Sequence, residues 1–153
     1  MNPSPPLRHL LAGLLLTTLP WAALAGTEPV GYVKTVTGEA WVTTAGQRTI
    51  AQPGTAVLLG SQLKTLPAAT LGVTFKDNTL MAFGPDTEMT VDEYLYAPAQ
   101  GQLRLGTQLV KGSLNYVSGV IAKLRPEAVT VKTPTGIIGV RGTQFVVKVE
   151  PAQ

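Results

Sequence analysis

Period two governs this chain. Apolar and polar residues alternate along Tyr32 to Thr37, Ala40 to Thr44, Leu71 to Lys76, Met89 to Tyr94, Ala128 to Lys132 and Thr143 to Glu150, with little sustained helical spacing. Successive side chains of a strand point to opposite faces, so such alternation buries one face and wets the other. In the last stretch Phe145, Val147 and Val149 share one face, and Gln144, Lys148 and Glu150 share the other. Punctuation falls between the stretches: "TAGQ" from Thr44, "QPG" from Gln52, "LPAA" from Leu66, "KDNT" from Lys76, "FGPD" from Phe83, "APAQG" from Ala97 and "TPTG" from Thr133. Such clusters turn the chain rather than continue it. Strands arriving roughly every 8 to 12 residues predict an all-β domain, either a twisted β-solenoid or a β-sandwich.

The start of the chain reads differently. Arg8 and His9 precede an apolar run from Leu10 to Leu19, then Pro20 and the small-x-small triplet Ala23-Leu24-Ala25. This is the layout of a cleaved secretory signal peptide. The run is too short to span a bilayer, which takes about 20 residues. The expected organisation is a signal peptide over residues 1–25 and one all-β domain over 26–153, with no transmembrane anchor in the mature chain. No cysteine stands at the cut and no twin arginine precedes it, so the expectation is general secretory export to the periplasm or beyond, not a lipoprotein.

Composition then narrows the chemistry. The chain has no cysteine, and its one histidine, His9, belongs to the segment removed on export. Without imidazole or thiol the mature chain lacks the usual nucleophile systems, the common general base and the soft ligands of zinc sites. An enzyme would have to work with carboxylates, lysine or tyrosine. Asp86, Glu88, Asp92 and Glu93 in "PDTEMTVDEY" are the candidate pair for glycoside hydrolysis. In a strand, however, Asp86, Glu88 and Asp92 share one face while Glu93 takes the other, and a solvated strand face explains the spacing. Nor does the stretch fit a calcium loop. No enzyme activity, cofactor or metal is expected. Twelve lysines and arginines against nine acids give a net charge of +3, but the cations are spread singly, so no nucleic-acid partner is expected.

A short pattern comes back three times: "LGSQL" from Leu59, "LGTQL" from Leu105 and "GVRGTQF" from Gly139. Glycine permits a turn, the hydroxyl bonds nearby backbone, and the apolar residue opens a strand's inward face. The unequal spacing argues against a true repeat. "GIIGVRGT" is not a phosphate loop, because no lysine precedes the threonine and a strand follows.

The third copy carries a resemblance. "VKTPTGIIGVRGTQFVVKV", Val131 to Val149, closely resembles the closing signature of the FecR domain. Earlier blocks agree in order: Gly38-Glu39-Ala40, then Gly54 with Leu59-Gly60-Ser61 and Thr65. Phe75-Lys76-Asp77-Asn78-Thr79-Leu80 resembles the family's apolar-x-Asp-Gly-Ser-Leu hairpin, with asparagine for the turn glycine, and Leu109 to Leu114 resembles its later strand. The resemblance spans roughly residues 31–149. It implies a periplasmic, all-β, non-catalytic module that relays signals or binds proteins in the cell envelope. The best-known members join a periplasmic sensor to a cytoplasmic end that controls a sigma factor. This sequence shows no such cytoplasmic domain or retained membrane helix.

Four residues of the signature, Arg141, Gly142, Thr143 and Phe145, are candidates for partner binding or for locking the fold. Arg141 would either grip a partner's carboxylate or cross a turn to pair with Asp77 or Asp86; partial burial favours the second, because a buried guanidinium must be paired. Val147 and Val149 mark a candidate edge strand, open to an envelope protein by β-augmentation or to a second copy. Tyr94 and Tyr96, beside Asp92, form a candidate aromatic surface for sugar or peptidoglycan, with half-buried strand packing as the plainer reading. Trp41 and Tyr116 are further aromatics of the same kind. An outer-membrane barrel is disfavoured, since aromatic girdles are missing and the tail "VEPAQ" is polar.

Overall fold

The computed structural model describes residues 28–151 together with Met1 and Pro3. The expected signal peptide, residues 1–25, otherwise lies outside the described residues. Twelve strands follow one another: β1 (Gly31–Thr37), β2 (Ala40–Thr44), β3 (Gln47–Ile50), β4 (Ala56–Val57), β5 (Gln62–Thr65), β6 (Thr70–Phe75), β7 (Leu80–Phe83), β8 (Glu88–Ala97), β9 (Gln102–Val117), β10 (Val129–Thr133), β11 (Gly136–Gly139) and β12 (Gln144–Val149). One short helix, α1 (Val120–Leu124), follows β9. No helix among the described residues is long and apolar enough to cross a membrane.

The all-β expectation is met, and the form is a single sheet curled into a half-barrel. Its two leaves meet in β9. One leaf runs β4-β1-β6-β7-β9-β12 and the other β3-β2-β5-β8-β9-β10-β11. Every pairing is antiparallel except that of β10 with β9. The first half of β9 serves one leaf, with β8 on one side and β10 on the other; the second half serves the other, between β7 and β12.

The change of leaf is written in the side-chain phase of β9. Leu103, Leu105, Thr107 and Leu109 face inward at odd positions, then Leu114 and Tyr116 at even ones. A phase slip of this kind is a β-bulge, which bends a strand and increases its twist. The register with β8 slips between Leu109 and Lys111, and the next residue, Gly112, carries a φ of +92° that is open to glycine but strained for other residues. The hydroxyl of buried Thr87 fills the place a Cβ would take there. Thr87 Oγ1 accepts from Ser113 N–H at 3.0 Å and donates to the Gly84 carbonyl at 2.9 Å. Thr65 Oγ1 donates to the same carbonyl at 2.7 Å and accepts from Thr87 N–H at 2.9 Å. Two threonines thereby bond the backbone that the bend leaves without ladder partners, as buried polar groups require.

Inside the curl Val33, Leu63, Phe75, Met81, Met89, Leu105, Leu109, Leu114, Ile121 and Val131 form one core. Each large side chain so buried contributes roughly 1.5 to 3 kcal/mol relative to exposure. The six expected strands lie where alternation put them, within a residue or two at most ends, although β8 runs on to Ala97. Turn signals also agree: Ala45 and Gly46 carry φ of 49° and 79° between β2 and β3, and Asn78 carries 65° in the turn leading to β7. The three echoes do not share a backbone. Gly60 (φ 81°) and Gly142 (φ 131°) precede strand starts, whereas Gly106 lies within β9.

Candidate functional site

Strand edges are where a curled but unclosed sheet has unsatisfied chemistry. Among the described residues four strands have a partner on one side only: β3, β4, β11 and β12. β4 has two residues, β3 and β11 have four each, and β12 has six. β12 is therefore the longest free edge, and long edges are the ones able to template another chain.

The register of β12 settles which of its groups are free. Gln144 stands opposite Val117 and Val149 opposite Gly112. Ser118 N–H donates to the Thr143 carbonyl at 2.8 Å, which makes that pair, and every second pair after it, the hydrogen-bonded kind. Phe145, Val147 and Val149 thus direct their backbone groups to β9. Gln144, Val146 and Lys148 direct theirs outward, where no described residue meets them.

Side chains hold the inner side in place. Phe145 stacks on Tyr116, and Val147 and Val149 pack partly buried against the core. Ser118 Oγ donates to the Gly142 carbonyl at 2.7 Å, and Gln144 Nε2 to Asn115 Oδ1 at 3.1 Å. On the outward face Val146 is 70% exposed and Lys148 pairs with Glu150 at 3.4 Å. Beside the end of β12 an open groove of about 780 Å³ separates it from the β10–β11 hairpin. Val110 and Lys111 of β9, Ile137, Ile138, Val147 and Val149 line it, so much of its wall is apolar.

Arg141 departs from the sequence expectation. It is exposed, and among the described residues it makes no ion pair and no hydrogen bond with Asp77, Asp86 or any other group. Asp77 is instead fully buried and bonded to neutral donors: Thr79 Oγ1 at 2.7 Å, Ile121 N–H at 3.2 Å, and Thr79 N–H and Tyr94 Oη at 3.3 Å each. Four donors satisfy a carboxylate without a cation. Its carbonyl also accepts from Val120 N–H at 2.7 Å, so Asp77 fastens both ends of its own turn and the start of α1. Asp86 lies in a tight turn with φ 51°. The locking role expected of Arg141 belongs to Asp77.

The aromatic surface is engaged in the same way. Tyr94 stacks on Phe75 with centroids 5.7 Å apart, and its hydroxyl both donates to Asp77 and accepts Asp77 N–H at 3.0 Å. Burial, and then the Asp77 charge, push its pKa above the ordinary tyrosine value. Tyr96 packs partly buried beside it, Tyr116 is fully buried, and Trp41 is covered by the Arg48 guanidinium at 3.9 Å. The carboxylates are dispersed: Glu88 accepts from Gln62 at 2.8 Å, Asp92 faces Lys132 at 3.9 Å and Glu93 faces Arg104 at 3.5 Å. No cluster of three or more potential metal ligands occurs among the described residues.

A family model described as FecR protein matches residues 61–153. The chain belongs to the FecR family. The matched stretch of this FecR chain begins just before β5 and takes in β9, the Asp77 turn and all of β12; the blocks at Gly38 and Gly54 precede it. A search of curated proteins and a search of solved structures each returned no significant match. Within the FecR match, Asp77, Gly112 and Phe145 hold backbone together, and Arg141 is exposed with no ion pair among the described residues.

Alternation did not mark β3, β4, β5, β7, β11 or the first half of β9, the longest strand, whose Leu109 to Leu114 fell in the block that resembles the family's later strand. Val146, the most exposed apolar residue of β12, carried no sign of its own until the edge was known.

Proposed function

We propose that the protein is a non-enzymatic interaction module of the cell envelope, exported to the periplasm, that takes up an extended segment of a partner along β12. The observation that carries this reading is the row of outward backbone groups at Gln144, Val146 and Lys148 beside an apolar-walled groove. An incoming strand would bond that row while its alternate side chains enter the groove, the mode of β-augmentation. Family membership supports a relay or regulatory setting, and the signal-like start supports export. The non-enzymatic reading rests on chemistry: Glu88, Asp92 and Glu93 are each paired separately with an amide or a cation, and histidine and cysteine do not occur after His9. A sugar-binding reading gains nothing from Tyr94, whose hydroxyl is committed to Asp77.

The test is capture of the tagged protein from its own envelope after mild crosslinking, beside Val146→Pro. Proline at 146 removes one outward N–H and no bond to β9, whereas proline at Val147 or Val149 would break the ladder itself. One envelope protein recovered with the wild type and lost with the folded variant supports the module. Equal recovery with both rejects β12 as its site.

A further inference from the structure

We infer that Arg141 and the pocket beside it recognise a carboxylate carried on a peptide, at a site separate from the β12 edge. The pocket, about 690 Å³, is lined by Pro126, Glu127, Thr130, Gly139 and Arg141, and no residue of β12 forms part of its wall. Three of its properties point to that ligand.

The first is a cation held in place without an acid. Val140 is buried and its N–H meets the Val129 carbonyl at 3.4 Å, while Ser118 bonds the carbonyls of Gly142 at 2.7 Å and Thr143 at 2.8 Å. The backbone is thus fixed on both sides of Arg141, whose own side chain is exposed. The other described arginines are engaged: Arg48 over Trp41 at 3.9 Å, Arg104 with Glu93 at 3.5 Å and Arg125 with Glu127 at 3.8 Å. Arg141 has no such contact among the described residues. A planar guanidinium on a fixed backbone matches the two oxygens of a carboxylate. The N–H groups of Arg141 and Gly142 donate to no described carbonyl either, and free backbone donors are a recurring means of capturing peptide carboxylates.

The second is a missing side chain. Gly139 stands opposite Thr130 in the β10–β11 hairpin, and both line the pocket. Its φ is not left-handed, and a Cβ there would meet nothing within 4 Å. Neither backbone geometry nor packing calls for glycine at a strand position that glycine weakens. What its absent side chain provides is room for another chain to come close beside Arg141.

The third selects carboxylate over phosphate. Glu127 shares the pocket, with its side chain 77% exposed and its contact with Arg125 loose at 3.8 Å. A phosphate group, carrying nearly two negative charges, would be set against that acid with one guanidinium to hold it. A carboxylate brings a single charge, and Glu127 can accept the N–H groups of the peptide that bears it.

NMR titration of the isotope-labelled protein tests the site with four probes: N-acetyl-alanyl-alanine, its C-terminal amide, N-acetyl-alanyl-glutamyl-alanine amide and inorganic phosphate. The Arg141 Nε–H and the backbone N–H groups of Gly142 and Thr143 should shift with one or both peptide acids and not with the amide. The dissociation constant should be on the order of millimolar, as one exposed pair allows. The tighter acid tells whether a chain end or a side chain supplies the carboxylate. Arg141→Lys should weaken binding several-fold, and Arg141→Ala should abolish it. Gly139→Leu, checked for an unchanged urea midpoint, should abolish it by filling the pocket, which a purely structural glycine would not predict; if that variant does not fold, the two arginine variants decide. Val146→Pro should leave probe binding unchanged, so that failure of this site and failure of the β12 edge are read separately. Equal shifts with the amide, a phosphate response as strong as that of the acids, or equal shifts at Arg104 and Arg125 overturns the inference. So does binding that survives Arg141→Ala or a folded Gly139→Leu, or that is lost with Val146→Pro.

Discussion

Phe145 lies nearly flat on Tyr116, with ring centroids 4.7 Å apart and planes inclined by 21°. The stack joins β12 to β9 at a hydrogen-bonded pair, so side-chain and backbone attachment coincide. Phe145→Ala should lower stability by about 2 kcal/mol, below the cost of a fully buried phenylalanine because the ring is only partly buried. Amide exchange would show where the loss falls: Val147 and Val149 should lose protection while β1 and β6 keep theirs.

Arg141→Ala should leave stability within about 0.5 kcal/mol of wild type, because the side chain is exposed and touches no charged group of the described chain. Urea unfolding measures this. A loss of several kcal/mol would mean that the guanidinium is buried and paired after all.

Asp77→Ala should be far more damaging, by about 3 kcal/mol, since it leaves Tyr94 Oη, Thr79 Oγ1 and two backbone N–H groups without their acceptor. The contrast between the two alanine variants in one urea series is the measurement. Equal losses would contradict the assignment of the lock to Asp77.

Alkaline stability should depend on Tyr94 and Tyr116. Burial raises the pKa of both, with the Asp77 charge adding to it at Tyr94. The folded state therefore keeps protons that the unfolded state releases. Their contribution is complete below the unfolded tyrosine pKa, about 10, and is lost as pH rises through the folded values. Unfolding free energy should accordingly fall above about pH 10, and Tyr94→Phe should make that fall shallower. Phenolate absorbance during an alkaline titration would appear in step with unfolding if this is correct, and well before it if it is not.

How much of this was legible can be argued from particular residues. Alternation around Val33, Val42, Val73, Val91, Val131 and Val147 specified six strands, because burial of one face leaves a period-two trace however the sheet is assembled. Asn78 and the "TAGQ" turn were equally plain, since few residues accept a positive φ. β9 was not, because its bulge breaks one sixteen-residue strand into two runs of opposite phase, each resembling ordinary loop-flanked sequence. Arg141 was misplaced for a different reason. Neighbours such as Ile138 and Val140 suggested burial, but a chain that crosses from one leaf to the other at Gly142 exposes what it carries, and only long-range geometry reveals the crossing.

The position of β9 in the order of synthesis has its own consequence. Both leaves are completed on this strand, yet residues 102–117 come after eight of the other strands. As the chain leaves the ribosome, β7 and β8 wait for the neighbour they share, and the early hairpins have only one partial wall to pack on. Until those residues are made, the growing chain lacks the strand on which both leaves are completed. Closure of the curl is thus tied to one late event in synthesis, and the two walls of the core form together rather than in turn.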